Sequence, residues 1–250
     1  MHAQSPPAPT KKTLRADPLV GTVLAGRYTV ERQIGEGGMG AVYAASVGTD
    51  VVALKVINLR KHHALDPRFA ERFMREAALA ASLQHPHAVR VHDYGTEGQY
   101  AYFAMDLLDG EPLYDLVTRE GPLSADAAGR IAAQVADALM ALHGQGVVHR
   151  DLKPDNIFMV RTPDGAPHAK LLDFGLAKHL SDDKALTRAG LLIGTPAFVS
   201  PEQASGGFVG PAADLYCLGA VLYFCLCGRA PYRADTVMEL LRLHVEAPVP

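Results

Sequence analysis

Residues 149–156 read His-Arg-Asp-Leu-Lys-Pro-Asp-Asn, and a second motif, Asp-Phe-Gly, begins at Asp173. This spacing suits the transfer of a phosphoryl group from a metal-bound nucleotide to a hydroxyl group. Asp151 can accept the hydroxyl proton, and Lys153 can steady the transferring phosphate. Asn156 and Asp173 offer the hard oxygen ligands that Mg²⁺ prefers. The pattern predicts a loop that carries a phosphoryl-transfer site.

The composition argues against several other classes of protein. Of the 250 residues, 48% are hydrophobic and 20% are charged, which is typical of a globular chain. A net charge of -3 argues against general nucleic-acid binding. Residues 1–13 hold no apolar run, so no secretory signal is expected. The longest apolar run, residues 215–227, is too short to span a bilayer, and we interpret it as a buried core helix.

All three cysteines, Cys217, Cys225 and Cys227, fall in this apolar run. A lone Cys-x-Cys offers too few ligands for a metal site. Free cysteine is among the most buried residue types, so we expect reduced thiols packed as small hydrophobic groups. Reduced thiols are typical of the cytoplasm, which is the predicted location.

The first half of the chain has the pattern of a sheet. Residues 1–20, rich in Pro near the start, are predicted to be a disordered leader, and residues 21–27 a lead-in. Asp66-Pro67 predicts the start of a helix that ends near residue 83. Apolar alternation predicts strands at residues 28–34, 41–47, 51–59, 88–93 and 100–106.

The second half has the pattern of helices. Residues 122–144 carry apolar side chains at helical spacing, with Ser124 as the expected cap. Residues 156–160 and 169–172 predict a hairpin. A strand-rich half followed by a helix-rich half predicts an α+β fold with two lobes and a ligand cleft between them.

A glycine-rich stretch at residues 35–42 matches the pattern G-x-G-x-x-G-x-V, with glycines at Gly35, Gly37 and Gly40. A dinucleotide-binding fold uses a similar string, but there the string opens into a helix. Here the following residues continue as strand, which favours a hairpin lid over phosphate groups. Glycine at these positions would let the backbone approach phosphate oxygens closely.

Lys55 lies within an apolar strand, where an ammonium group is costly unless it is paired. One interpretation is an edge-strand lysine that faces solvent. The other pairs Lys55 with Glu76, which falls on the buried face of the predicted helix, three residues after Phe73. Glu76 could instead form a pair within the helix with Arg72.

Together these motifs resemble the catalytic core of the bacterial protein kinases of the eukaryotic (Hanks) type, over residues 28–250. Further motifs agree in order: Gly-Thr-Pro begins at Gly194, Ser-Pro-Glu begins at Ser200, and Asp214 opens the helix that supports the family's catalytic loop. The resemblance implies an antiparallel N-lobe sheet with one helix, followed by a mainly helical C-lobe.

The resemblance implies ATP and Mg²⁺ as cofactors. Lys55, with Glu76, would grip the α- and β-phosphates. The backbones of Asp106 and Leu108 would meet adenine just after the gatekeeper, Met105. The implied ATP-binding residues run from the glycine loop through the roof of the adenine pocket to its floor: Ile34, Gly35, Gly37, Gly38, Gly40, Val42, Ala53, Lys55, Met105, Asp106, Leu108 and Phe158.

The resemblance also implies a substrate class. Lys153, with Thr195 in the substrate-facing segment, is typical of Ser/Thr kinases, so the expected partners are proteins with Ser or Thr hydroxyls. Thr187 is the predicted phosphosite and Ser181 the alternative, with Arg150 as the phosphate partner. Dimerisation would allow autophosphorylation in trans.

Two other functions remain as alternatives. One is a silent pseudokinase that acts as a binding module, but such proteins usually lose Lys55, Asp151 or Asp173, and all three are present. The other is a small-molecule kinase of the aminoglycoside or choline type, which should lack the Gly-Thr-Pro and Ser-Pro-Glu motifs. The protein kinase interpretation is favoured.

The resemblance sets the expected boundaries of the kinase domain. The N-lobe would span residues 28–106, the hinge residues 106–110 and the C-lobe residues 111–250. The family's C-lobe has further helices, including one whose Arg pairs with the residue equivalent to Glu202. We therefore expect the C-lobe to be incomplete in these 250 residues, with an inactive kinase fragment as the alternative function.

Overall fold

The computed structural model of the chain describes residues 17–37, 40–60, 69–173 and 196–250. The side chains of Phe69, Arg72 and Glu76 also lie outside the described set. Within the described ranges the chain forms nine strands, six α-helices and two short 3-10 turns. None of these helices is both long enough and apolar enough to cross a membrane.

The first half forms one antiparallel sheet of six strands. Its spatial order is β1-β2-β3-β4-β6-β5. The glycine-rich stretch is the β2–β3 hairpin, where Gly37 pairs with Gly40, as the sequence predicted. The strands are β1 (Val23–Leu24), β2 (Tyr28–Gly37), β3 (Gly40–Val47), β4 (Asp50–Asn58), β5 (Val91–Glu97) and β6 (Tyr100–Asp106).

Strand alternation gives this sheet two apolar faces. On one face, helix α1 (Phe69–Ser82) packs the ring of Phe73 against Phe103, with ring centroids 4.4 Å apart. On the other face, Leu54 belongs to a second buried cluster, against which Leu19 of the N-terminal segment packs. The Tyr43 hydroxyl, also on this face, donates a hydrogen bond of 2.7 Å to the Asp17 carboxylate.

The second half is mainly helical and includes one small sheet. This sheet has the order β7-β8-β9, with β7 (Gly110–Pro112), β8 (Ile157–Val160) and β9 (His168–Leu171). The Ser124 hydroxyl accepts a hydrogen bond from the Ala127 amide and caps α3, as predicted. The helices are α2 (Leu113–Glu120), α3 (Ala125–Gly144), α4 (Pro201–Ser205), α5 (Pro211–Cys227) and α6 (Val237–Glu246).

One apolar core extends through both halves. It includes Phe73 and Phe103 from the sheet side, and Val135 and Val221 from the packed helices α3 and α5. Backbone hydrogen bonds also join the halves, because the Val89 amide donates to the Leu171 carbonyl at 2.9 Å. The cleft residues described below are therefore held by a continuous interior.

Three sequence expectations differ from the structure. The strand predicted at residues 88–93 begins at Val91 and runs to Glu97, because Ala88 forms a bridge to β9 instead. The helix predicted to be buried, α5, is apolar all round, but Leu215 is 57% and Leu226 40% exposed. Its thiols divide in the same way: Cys217 and Cys225 are buried, whereas Cys227 is exposed.

The predicted leader falls largely outside the described residues, which begin at Asp17. The Asp17 carboxylate accepts hydrogen bonds from the Leu19 amide at 2.9 Å and from the Tyr43 hydroxyl. The packed part of the chain therefore includes four residues that the sequence analysis assigned to the leader.

Candidate active site

The loop at residues 149–156 is held from below by a buried carboxylate. Asp214, near the start of α5, has no exposed surface. It accepts hydrogen bonds from the amides of His149 and Arg150, at 2.8 and 2.9 Å, and lies 2.8 Å from Nε2 of His143. A buried acceptor of this kind is stable only when it is fully hydrogen-bonded. Asp214 thus fixes the backbone just before Asp151.

His149 links this loop to the end of β9. The side chain is fully buried, with Nε2 2.9 Å from the Leu172 carbonyl. Its Nδ1 accepts a hydrogen bond of 3.3 Å from the Asp151 amide. The ring is therefore a structural link between the two segments that carry Asp151 and Asp173.

Three of the predicted catalytic and metal residues lie together. The Asn156 amide nitrogen donates to the Asp151 carbonyl at 2.7 Å and to the Asp151 carboxylate at 3.0 Å. The Lys153 ammonium lies 3.4 Å from the same carboxylate. Pro154 begins a 3-10 turn, Pro154–Asn156, which brings Asn156 back towards Asp151. Because Nδ2 of Asn156 is committed to Asp151, its side-chain oxygen remains for another ligand.

Lys55 reaches across from the N-terminal sheet. Its ammonium lies 2.7 Å from the Asp173 carboxylate, with side chains 12% and 32% exposed. β4 lies between β3 and β6, so the edge-strand interpretation of Lys55 is wrong. The Glu76 side chain lies outside the described residues, so the predicted pair between Lys55 and Glu76 remains a prediction.

Asp173 lies beside the metal-site candidate Asn156. The Leu172 amide donates to the Asn156 carbonyl at 2.8 Å, which places the two segments side by side. Asp173 adopts a left-handed backbone conformation, with φ of 54°. Such a conformation is costly for a residue other than glycine and is frequent at functional sites.

The strand register brings the predicted adenine-roof residues onto one face of the sheet. Val42 pairs with Lys55, and Ala53 pairs with Met105. Directly opposed residues share a face, and so do residues two apart on one strand. Lys55 also pairs with Phe103, which contacts α1. These four predicted residues therefore lie on the α1 side of the sheet.

At the hinge, the backbone amide of Asp106 is already hydrogen-bonded within the protein. Its amide donates to the Arg90 carbonyl at 3.1 Å. Of its backbone groups, the carbonyl is therefore the candidate for adenine. Leu108 lies between β6 and β7 and packs against the main core, and Phe158 lies on β8 opposite Pro112. Ile34, on β2, is 38% exposed.

The glycines of the β2–β3 hairpin serve different purposes. A Cβ at Gly40 would lie 2.2 Å from the Val56 carbonyl oxygen, so the protein itself requires glycine there. A Cβ at Gly37 would meet no atom of the described residues within 4 Å, and one at Gly35 would meet only Val42, at 3.8 Å. Packing within the described chain does not explain glycine at these two positions, which is consistent with a ligand that approaches the backbone.

Several predicted residues lie outside the described set. They are Gly38 in the glycine loop, and Ser181, Thr187, Gly194 and Thr195 in the segment after Asp173. Glu202, for which the resemblance implies an Arg partner in a later helix, is half-buried.

The sequence analysis missed one residue that contacts the loop. The side-chain nitrogen of Gln203 donates to the Arg150 carbonyl at 2.6 Å. A signal was available, because Ser200 and Gln203 form the Ser-x-x-Gln pattern of a capping box. That pattern identifies a helix start, but not the contact with a loop about fifty residues earlier.

The oxygen ligands present fit a divalent cation whose coordination shell is completed by a bound substrate. Among the described residues, no group of three or more His, Cys, Asp or Glu could hold a metal ion. Mg²⁺ is usually bound by one or two protein oxygens together with phosphates and water. The Asn156 oxygen and the Asp173 carboxylate, on adjacent segments, match that need.

Comparison with known proteins identifies the family. Residues 28–247 match the family model described as the protein kinase domain. The chain therefore belongs to the protein kinase family, and the predicted α+β kinase fold is confirmed.

The relatives place it among bacterial kinases of the Hanks type. Serine/threonine-protein kinase pkn3 of Myxococcus xanthus is 42% identical over 247 residues, which cover 96% of this chain and 45% of pkn3. PknA of Mycobacterium tuberculosis is 41% identical over 93% of this chain and 54% of its own. This chain thus spans about half or less of the length of these relatives.

Solved structures of protein kinases share this fold. The crystal structure of the M. tuberculosis PknI kinase domain superposes with a TM-score of 0.69 and 30% identity, over 86% of this chain and 78% of that one. The crystal structure of Rad53 in complex with AMP-PNP gives a TM-score of 0.70 and 27% identity, over 87% of this chain and 53% of that one.

Proposed function

We propose that this chain transfers the γ-phosphoryl group of Mg-ATP to Ser and Thr hydroxyls of protein substrates and phosphorylates itself. The observation that supports this most directly is the placement of Asp151, Lys153 and Asn156 next to the ion pair between Lys55 and Asp173. The kinship with bacterial serine/threonine-protein kinases supports the same substrate class.

In this proposal Asp151 orients the substrate hydroxyl and accepts its proton. Its carboxylate is positioned by the Asn156 amide and lies near the Lys153 ammonium. A carboxylate held in this way loses little freedom when the hydroxyl arrives, which is how positioning lowers a barrier. Lys153 would balance charge on the phosphoryl group as it moves between the two oxygens.

The nucleotide would lie between the sheet and this loop. Val42 and Ala53 would cover adenine, with Phe158 beneath it, and Lys55 would contact the α- and β-phosphates. Asn156 and Asp173 would hold Mg²⁺, which when bound neutralises phosphate charge and orients the terminal phosphate. Glycine at Gly35 and Gly37 would let backbone amides approach the phosphates.

Autophosphorylation would occur on the segment after Asp173, at Thr187, with Ser181 as the alternative. The added charge would pair with Arg150, which lies directly before the catalytic Asp151. A second copy of the chain would serve as the substrate if the reaction occurs in trans.

The test is phosphotransfer from labelled ATP and Mg²⁺ by the full 250-residue chain. The parent and Asp126→Ala, altered at an exposed carboxylate on α3, should incorporate label, whereas Asp173→Ala should not. Mass spectrometry should place phosphate on Thr187. If the parent binds nucleotide but transfers none, the binding-module alternative replaces the proposal.

A further inference from the structure

Arg150, the residue before the proposed base, is held in an unfavourable backbone conformation. Its φ is 62°, in the left-handed region that residues with a Cβ avoid. Such a conformation persists only when the surroundings over-determine it. A change in this residue's backbone would rotate the following peptide and so displace Asp151.

Two side chains from different helices hold the backbone of Arg150. Its amide donates to the buried Asp214 carboxylate of α5 at 2.9 Å. Its carbonyl accepts a hydrogen bond of 2.6 Å from Nε2 of Gln203, which lies on α4. Removal of either contact would release one side of the left-handed residue.

The orientation of the Gln203 amide is fixed by its other contacts. Its Oε1 accepts from the Ser200 amide at 3.1 Å and lies 3.8 Å from the thiol of Cys217. The Ser200 amide can only donate, so the side-chain oxygen must face Ser200 and the nitrogen must face Arg150. Ser200 is itself fully buried and closely follows the turn Pro196–Phe198.

From these contacts we infer that Gln203 is a positioning residue that ties helix α4 to the catalytic loop and so helps to place Asp151. The capping box of Ser200 and Gln203 orients the amide that holds Arg150. Without the Gln203 amide, the Arg150 carbonyl loses this donor, and the backbone before Asp151 is held less firmly. This inference rests on the proposed function, because it assigns a role within the same site.

The chain offers a matched control for this contact. Nε2 of Gln134, on α3, donates to the Pro167 carbonyl at 2.9 Å, and its Oε1 accepts from the Ala169 amide at 2.7 Å. Gln134 and Gln203 are both half-buried glutamines that bridge two backbone groups. They differ in their targets, because Gln134 holds the turn before β9 and Gln203 holds the catalytic loop.

The test compares Gln203→Glu with Gln134→Glu in the full chain. Each change replaces the side-chain amide nitrogen with an oxygen, so that a carboxylate oxygen faces the backbone carbonyl. The other side-chain oxygen can still accept its hydrogen bond from a backbone amide. For Gln203→Glu we expect kcat to fall about tenfold, because one neutral hydrogen bond is lost and the new oxygen repels the carbonyl. The KM for ATP should stay within about twofold. Gln134→Glu should leave kcat within about twofold of the parent.

Hydrogen exchange gives a second readout that needs no activity. Amides of residues 147–156 should exchange faster in Gln203→Glu and in the neutral Gln203→Met, whereas Gln134→Glu should affect residues 162–170. Unchanged exchange at residues 147–156 in both Gln203 variants, or equal kcat values for Gln203→Glu and Gln134→Glu, would overturn the inference. If the parent transfers no phosphate, the proposed function fails, and the exchange result still decides the role of Gln203.

Discussion

The two sides of the candidate cleft are built by different means. On the loop side, buried polar groups hold the backbone around Asp151, with Asp214 and His149 below it and Asn156 and Gln203 beside it. On the sheet side, strand register places the lining residues, and one described ion pair, from Lys55, crosses to the loop side.

The two sides should therefore respond differently to amino-acid substitutions. A buried polar network is sensitive, because removal of one member leaves the others unpaired. A strand register is set by many backbone hydrogen bonds and by which face is buried, so it tolerates changes in single side chains. We therefore expect the loop side to respond to single-atom changes and the sheet side to respond mainly to steric ones.

The largest expected effect is at Asp151, the proposed base. Asp151→Asn should slow phosphoryl transfer by roughly 10²–10⁴, because proton acceptance is lost. ATP should still bind, since the Lys55 and Asp173 side chains are unchanged. Single-turnover transfer and nucleotide titration would separate the two effects. Full turnover by this variant would remove Asp151 from the mechanism.

A change in the support of the loop should mainly affect stability. Asp214→Asn places an amide opposite the amides of His149 and Arg150, so at least one buried donor loses its acceptor. We expect the free energy of unfolding to fall by about 3 kcal/mol. The control is Asp109→Asn, which breaks a highly exposed ion pair with Arg161 and should change little.

Urea denaturation monitored by circular dichroism would measure both variants. Similar urea midpoints for Asp214→Asn and Asp109→Asn would mean that burial of a carboxylate does not determine how much it contributes to the free energy of unfolding. The proposed contrast between the two sides of the cleft would then lose its main support.

On the sheet side, two glycine substitutions should differ. Gly40→Ala forces a Cβ towards the Val56 carbonyl, 2.2 Å away, and should cost about 1–3 kcal/mol of stability as the hairpin shifts. Gly37→Ala meets no described atom within 4 Å and should leave the free energy of unfolding nearly unchanged.

The effect on ATP binding provides the contrast to the effect on stability. Gly37→Ala should weaken ATP binding without loss of stability if the backbone approaches phosphate there. Thermal unfolding and ATP titration of the two variants are the required measurements. Equal loss of stability in both variants would show that the hairpin is uniformly intolerant of side chains.

Motifs with fixed chemistry were predictable from the sequence, and long-range contacts were not. The capped helix α3 and the β2–β3 hairpin follow from local patterns. The start of β5 was misplaced, because Ala88 pairs with a strand about eighty residues later. No local pattern encodes that pairing, nor the contact between Gln203 and Arg150.

The partner of Lys55 shows the same limit. An ammonium in an apolar strand predicted a partner, and the structure supplies Asp173 from the far side of the cleft. Sequence could identify the need for a carboxylate, but the choice among carboxylates depends on the tertiary fold.

The smallest expected effect is a pH dependence of stability, remote from both sides of the cleft. His244, on α6, is 3% exposed, and burial lowers its pKa below the usual value for histidine. Its Nδ1 lies 2.9 Å from the Tyr216 hydroxyl, and its ring packs on Tyr232 with centroids 4.9 Å apart. The folded chain therefore binds a proton at this ring less readily than the unfolded chain does.

The sign of the effect follows from that difference. As pH falls through about 6.5, the unfolded state gains a proton that the folded state resists, so stability falls, by at most about 1.4 kcal/mol per pH unit for one proton. His244→Gln should reduce the loss of stability between pH 7.5 and 5.5, as measured by urea denaturation at each pH. His168, whose pKa is lowered by burial and by His87 and Lys170, contributes in the same direction. The double variant with His168→Gln should therefore flatten the dependence further. A parent and double variant with the same pH dependence would show that the acid sensitivity does not come from these two histidines.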